Sequence, residues 1–156
     1  MGGGDFSQPY RGGFVGPEHR FALTVYFEDT DTAGIVYYAN YLKFMERARS
    51  DMLRAAGIDQ RGAMERNSME GGGGVYVVAE ANIRYLRPAK LGDDLLIRST
   101  LIQVRAASVI IRQAVFRGEE PIAEGRITAA FLTLDGRPTR QPRAWLDRFE
   151  VLANSA

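Results

Sequence analysis

Asp29-Thr30-Asp31-Thr32-Ala33-Gly34-Ile35-Val36-Tyr37-Tyr38-Ala39-Asn40 is the stretch on which the reading of this chain turns. Before it, Phe21, Leu23, Val25 and Phe27 alternate with Arg20, Ala22, Thr24, Tyr26 and Glu28, the period of a half-buried strand. After it, Tyr41, Leu42, Met45, Ala48, Met52, Leu53 and Ala56 recur at helical spacing, and Gly57 suits the position just past a helix end. The stretch thus joins a strand end to the one long helix, Asn40 to Ala56. A carboxylate placed there faces unpaired backbone N–H groups and the positive end of the helix dipole. The same place can hold an ionised acid and stabilise a second, developing negative charge.

Beyond the helix, a short helical turn is expected around Asp59 to Arg66, and Gly71 to Gly74 are too flexible for an element interior. Four strand-like runs follow: Val75 to Tyr85, Asp94 to Val104, Ser108 to Phe116 and Pro121 to Leu134. In the second run Leu95, Ile97 and Leu101 face one way while Leu96, Ile102 and Val104 face the other. Both sheet faces are therefore expected to be covered in part, one by the helix and one by another subunit. Trp145, Leu146, Phe149 and Leu152 are spaced for a short C-terminal helix with a structural role. The order βαββββ gives an α+β fold with a five-stranded antiparallel meander.

With 156 residues, 46% of them apolar, the chain can bury one core but not two. Residues 1 to 19 are rich in glycine and poor in apolar periodicity, and they are expected to be a disordered leader before a single domain over 20 to 153. A net charge of +1 gives no field for nucleic acid or an acidic membrane. The absence of cysteine excludes a disulfide framework, a thiolate nucleophile and Cys-ligated zinc. No apolar run reaches the roughly 18 residues that span a bilayer, and no secretory h-region opens the chain. A soluble, cytoplasmic protein without a transmembrane segment is expected.

The pattern D-x-D-x-x-G invites comparison with a calcium loop starting at Asp29. That frame puts Ala33 fifth and Asn40 twelfth, so an oxygen ligand and the bidentate Glu are missing. Serine-histidine catalysis fares no better, since His19 is the only histidine and no G-x-S-x-G occurs. A His/Asp hydratase is disfavoured on the same ground. Carboxylate chemistry remains. On the residues alone Asp31 reads more readily as an N-terminal cap or turn carboxylate than as a nucleophile or base, because Asp is common at such positions. Asp29 is assigned to the turn itself, accepting backbone N–H bonds. Gly34 allows a sharp turn and a close approach of substrate to backbone. Glu46 is expected to pair with Lys43 or Arg49 on the helix surface.

Over Tyr26 to Arg49 the chain resembles the hotdog-fold acyl-CoA thioesterases of the 4-hydroxybenzoyl-CoA thioesterase type, nearest the Tol-Pal-associated (YbgC-type) branch. The likeness is ungapped through the motif and continues more weakly to about Phe149. It implies a long central helix wrapped by the sheet, and a catalytic carboxylate at the second Asp of the pair, Asp31. It also implies an oxyanion donor in the backbone N–H of Tyr38. Many Tol-Pal-associated relatives carry His at that position, whereas the aromatic-acyl branch carries Tyr. Arg105 falls where relatives place basic residues against the CoA phosphates, but its neighbours here are Ala106 and Ala107. The resemblance further implies acyl-CoA as substrate, with acyl carrier protein as the alternative carrier and a non-catalytic acyl-binding or envelope-associated interaction module on the same fold as the alternative class. No metal or cofactor is implied, coenzyme A being part of the substrate. Homodimers or homotetramers with sites between subunits are expected.

Overall fold

A computed structural model of the protein describes residues 4–65 and 73–155. Its centre is α1, Asn40–Ala55. Tyr41, Phe44, Met45, Ala48 and Met52 form one stripe at three- and four-residue spacing, and all five are buried. The helix ends in a Schellman arrangement: Ile58 N–H donates to Leu53 O at 2.9 Å and Gly57 N–H to Arg54 O at 3.0 Å. Gly57 takes φ +80°, a conformation that costs a residue with Cβ dearly. A short α2, Gln60–Glu65, follows as expected; Arg66, Gly71 and Gly72 lie outside the described residues.

Among the described residues the sheet has six antiparallel strands rather than five: β1 Gly13–Val15, β2 Glu18–Thr24, β3 Val75–Tyr85, β4 Asp94–Val104, β5 Ser108–Arg117 and β6 Glu120–Leu132. Their spatial order is β1-β2-β4-β5-β6-β3, which leaves β3 as a full-length edge. Irregularities at Val78/Glu80, Leu101/Gln103 and Val115/Phe116 bend the strands. The bent sheet wraps α1, the hotdog arrangement. Leu95, Ile97, Ser99 and Leu101 of β4 point inward and are buried, whereas Ile102, at the irregularity itself, is exposed. The C-terminal helix α3, Arg143–Asn154, closes one end of the core with Trp145, Leu146 and Phe149.

The extra strand corrects the expectation of a disordered leader up to residue 19. Gly13, Phe14 and Val15 pair with Arg20, His19 and Glu18 across a two-residue turn in which Gly16 takes φ +59°. Tyr10 lays its ring against Phe21, and its hydroxyl accepts the Ala22 N–H at 3.0 Å. His19 is fully buried with Nε2 2.7 Å from Asp51 Oδ2, which also accepts the Gly12 N–H at 2.9 Å. The arm is thus held by backbone pairing and one buried polar knot, not by the apolar periodicity that its composition lacks. A Cβ on Gly12 would stand 2.1 Å from Arg20 O, so a glycine is what permits this approach. A His/Asp pair therefore exists in the chain, but it is enclosed between arm and α1 and ties the two together.

Candidate active site

β2 stops at Thr24, earlier than its alternation suggests, because the chain tightens into a 3-10 turn over Phe27–Asp29. Asp29 Oδ2 accepts the Tyr26 N–H at 2.8 Å, the turn role expected of it. The chain then doubles back. Thr30 bridges Val36, Asp31 N–H donates to Ile35 O at 2.9 Å, and Gly34 N–H donates to Asp31 O at 3.0 Å. Gly34 makes the reversal at φ +79°, and a Cβ there would meet nothing within 4 Å. Conformation, not crowding, selects glycine at this position, and the space beside it is open.

The returning arm is pinned from two sides. Val36 N–H donates to Ala89 O at 2.8 Å and Ile35 bridges Lys90, which ties the loop to the connection between β3 and β4. That connection is itself held by Arg117, whose Nη1 lies 2.7 Å from Asp93 Oδ2 and 3.2 Å from Pro88 O. Below, Tyr37 N–H donates to Asp29 O at 3.0 Å and the Asn40 side-chain amide donates to the same oxygen at 2.9 Å. The strand end and the helix start therefore form one rigid unit. Sequence reasoning gave Asn40 no role beyond ending the motif; an amide at the first helical position was the available signal.

Within this unit Asp31 is exposed, and its Oδ1 accepts the Ala33 N–H at 2.9 Å while Oδ2 has no partner among the described residues. Tyr38 stands two residues before α1. Asn40 N–H closes on Tyr37 O at 2.8 Å and Tyr41 N–H on Tyr38 O at 3.3 Å, but the N–H of Tyr38 meets no acceptor among the described residues. An unpaired donor at a helix start carries part of the positive dipole end. The Tyr38 ring stands edge-on to Tyr85 at 5.9 Å between centroids, and Tyr85 in turn lies 5.6 Å from Tyr41. Desolvation, with Tyr38 second, pushes the Tyr85 phenol up from its ordinary value.

The Asp31 loop turns at Gly34 and runs on to Tyr38 just before α1; Arg105 lies elsewhere. It lies in the turn after β4, exposed, with Nη2 3.3 Å from Gln103 Oε1 and its carbonyl accepting Gln141 Nε2 at 2.8 Å. The Asp31 loop is tied to the connection that precedes β4, so the eleven residues of that strand, roughly 35 Å of chain when fully extended at about 3.3 Å per residue, lie between them within one chain. Glu46 departs from expectation as well: its Oε1 accepts the Ser50 hydroxyl at 2.8 Å, and no Lys43 or Arg49 ion pair forms among the described residues.

Glu46, Arg49 and Ser50 instead rim a cleft of about 110 Å³ between α1 and the start of β3, walled by Leu53, Val77, Val78 and Ile111. Gln113, fully buried, donates from Nε2 to Met45 O and Ser99 Oγ, both at 3.0 Å, and accepts Arg49 Nη1 at 2.9 Å. Among the described residues, no group of three His, Cys, Asp or Glu could hold a metal ion, and no helix is long and apolar enough to cross a membrane.

A sequence model of the Thioesterase-like superfamily matches residues 25–150. The acyl-CoA thioesterase YbgC of Haemophilus influenzae is 32% identical over 114 residues, covering 73% of this chain and 80% of that protein. Among solved structures, a probable thioesterase from Bartonella henselae superposes with a TM-score of 0.75 at 32% identity, over 80% of this chain and 99% of its own. A 4-hydroxybenzoyl-CoA thioesterase in complex with 4-hydroxybenzoyl-CoA superposes at 0.73 with 22% identity, over 87% and 99%, which bears on the fold alone.

Proposed function

The chain belongs to the Thioesterase-like superfamily as a hotdog-fold, YbgC-type enzyme, and on that premise we propose that it hydrolyses acyl-CoA through Asp31 and the backbone N–H of Tyr38. The observation that carries the proposal is the rigid unit in which a carboxylate with one free oxygen and an unpaired helix-start N–H share a single loop. Asp31 Oδ2 attacks the acyl carbon, or takes a proton from the water that does. The carbonyl oxygen gains charge and is met by the Tyr38 N–H, a preorganised donor of the kind that such reactions use. The C–S bond breaks and CoA leaves as thiolate, at a thiol pKa of about 8.5. Water supplies the oxygen of the free acid; in the covalent route it does so by cleaving the acyl-aspartyl anhydride. Gly34 leaves the backbone open to the incoming thioester.

The site is completed by a second copy of the chain. β3 is an eleven-residue edge whose first half, including Val77 and Val78 at 44 and 45% exposure, presents unpaired backbone and apolar side chains. Such an edge is stable when another strand pairs with it. The partner is also what can bring an Arg105 toward the CoA phosphates, since the chain's own lies too far away. A cytoplasmic location, Tol-Pal association and a tetramer are further parts of this reading, supported by the resemblance of the motif to the YbgC-type branch. No cofactor takes part in the proposed reaction.

Thiol release from a panel of short, long and aromatic acyl-CoAs, run beside the same acyl groups on acyl carrier protein, tests the proposal. Turnover of at least one acyl-CoA is expected. Binding of acyl-CoA without thiol release would instead identify a non-catalytic acyl-binding module, and turnover confined to acyl carrier protein would identify the other carrier.

A further inference from the structure

The cleft between α1 and β3 holds a cation for which the proposed reaction has no use. Arg49 is half-buried, and one of its five N–H donors is spent on the buried Gln113 at 2.9 Å. Among the described residues no carboxylate lies within 4.0 Å of it, unlike Arg54 or Arg117, which each sit on carboxylates. Burial pulls the guanidinium below its ordinary value, and Glu46 opposes this only in part. Gln113 and Ser99 are themselves buried and bonded to one another, so the guanidinium is held by a built polar support, not left to wander on the surface. The walls beside it, Leu53, Val77, Val78 and Ile111, are apolar.

An apolar slot with a fixed, partly desolvated cation at its rim is complementary to an aliphatic chain that ends in an anion. Charge-assisted bonds from a planar guanidinium to a carboxylate are the strongest pairing open to it. Glu46 on the same rim keeps its charge and opposes an anion in part, but it is exposed and screened by solvent, whereas the guanidinium is half-buried. The position of the slot fits as well. Pairing of edge β3 with β3 of a second copy about a two-fold axis is necessarily antiparallel. It sets the first half of one strand, which walls the slot at Val77 and Val78, beside the second half of the other, where Tyr85 packs on Tyr38. The slot of one copy then opens toward the Asp31–Tyr38 loop of its partner.

We propose that Arg49 is a specificity-determining residue which receives the terminal carboxylate of the acyl group, so that the preferred substrates are ω-carboxyacyl-CoA thioesters. The inference rests on the acyl-CoA hydrolase reading of the previous subsection. The test compares kcat/KM of the full chain for butyryl-, hexanoyl- and octanoyl-CoA with their ω-hydroxy and ω-carboxy counterparts. At one chain length or more, the carboxylate-ended thioester should exceed the methyl-ended one by at least about tenfold, the gain from one charge-assisted hydrogen bond. In Arg49→Met that ratio should collapse toward one, and in Arg49→Lys, which keeps a point charge, it should fall only partly.

Preference of the unsubstituted enzyme for methyl- or hydroxyl-ended chains overturns the proposal, as does an unchanged ratio in a folded Arg49→Met. The ranking by the unsubstituted enzyme can overturn the proposal without any variant, and where Arg49→Met fails to fold, the partial fall in Arg49→Lys carries the assignment to Arg49, an unchanged ratio there overturning it. Hydrolysis of the methyl-ended thioesters keeps the hydrolase reading standing even where the carboxylate preference fails.

Discussion

The N–H of Tyr37 donates to Asp29 O at 3.0 Å, and the next N–H along the chain, that of Tyr38, is left without an acceptor among the described residues. One residue spends its donor on holding the loop, and its neighbour keeps the donor that the proposed reaction would use. If the main chain of Tyr38 does the work, Tyr38→Phe should keep kcat within a few-fold of the unsubstituted enzyme. A fall of several hundredfold, the roughly 2.7 to 4 kcal/mol that one oxyanion donor supplies, would move the role to the phenol.

Asn40 clamps the same carbonyl from the helix side at 2.9 Å. Asn40→Ala should cost the fold only about 0.5 to 1.5 kcal/mol, the net worth of one hydrogen bond. It should lower kcat by about tenfold or more, because small displacements at a reacting centre are penalised heavily. Thermal unfolding and steady-state kinetics separate the two effects, and an unchanged kcat would show that the loop keeps its shape without the clamp.

Gly12 stands where a Cβ would fall 2.1 Å from Arg20 O and 3.0 Å from Asp51 Oδ2. Gly12→Ala is therefore expected to destabilise by about 1 to 3 kcal/mol through forced backbone displacement. Denaturant unfolding reads this directly. A neutral substitution would mean that the arm docks more loosely than its hydrogen bonds indicate.

The same arm should respond to acid. Burial, outweighing the contact with Asp51, pulls the His19 imidazole below its ordinary 6.5, so the folded state favours the neutral ring. Asp51 is also held below its ordinary value: burial pushes it up, but bonds from Arg54, His19 and Gly12 together outweigh that. With both values depressed, stability is fully present above about pH 6.5 and falls as the medium acidifies toward the folded value of His19; Asp51 adds its loss only in stronger acid. Amide exchange at Gly12 and Phe14 should accelerate between about pH 7 and pH 5. Exchange that is flat over this range, after correction for its intrinsic pH dependence, would contradict the assignment.

How far the fold could be read from the chain depended on how local each signal was. α1 and the four later strands follow from side-chain periodicity, and β3 and β4 appear at the expected bounds, Val75–Tyr85 and Asp94–Val104. Gly57 marked the helix end because its positive φ is a local demand. β1 escaped because three residues of Gly-Phe-Val carry no period, and what orders them is a partner strand and Asp51, far along the chain. The site divides in the same way. Asp31, Gly34 and Tyr38 belong to one contiguous motif, in which Gly34 N–H closes on Asp31 O. Arg105 was placed by likeness alone, and strand length puts it at the far end of β4. The support of Arg49 by Gln113, 64 positions away, had no signature in either local pattern.

The central claim is that Asp31 performs the chemistry, and Asp31→Asn tests it most directly because it keeps an acceptor for the Ala33 N–H and changes little in shape. Thiol release should be measured with the best acyl-CoA of the panel, on protein whose unfolding midpoint and oligomeric state match the unsubstituted enzyme. The account predicts a fall in kcat of at least ~100-fold, with a smaller loss in Asp29→Asn. A kcat near that of the unsubstituted enzyme in folded Asp31→Asn, or a greater loss in Asp29→Asn, would contradict it.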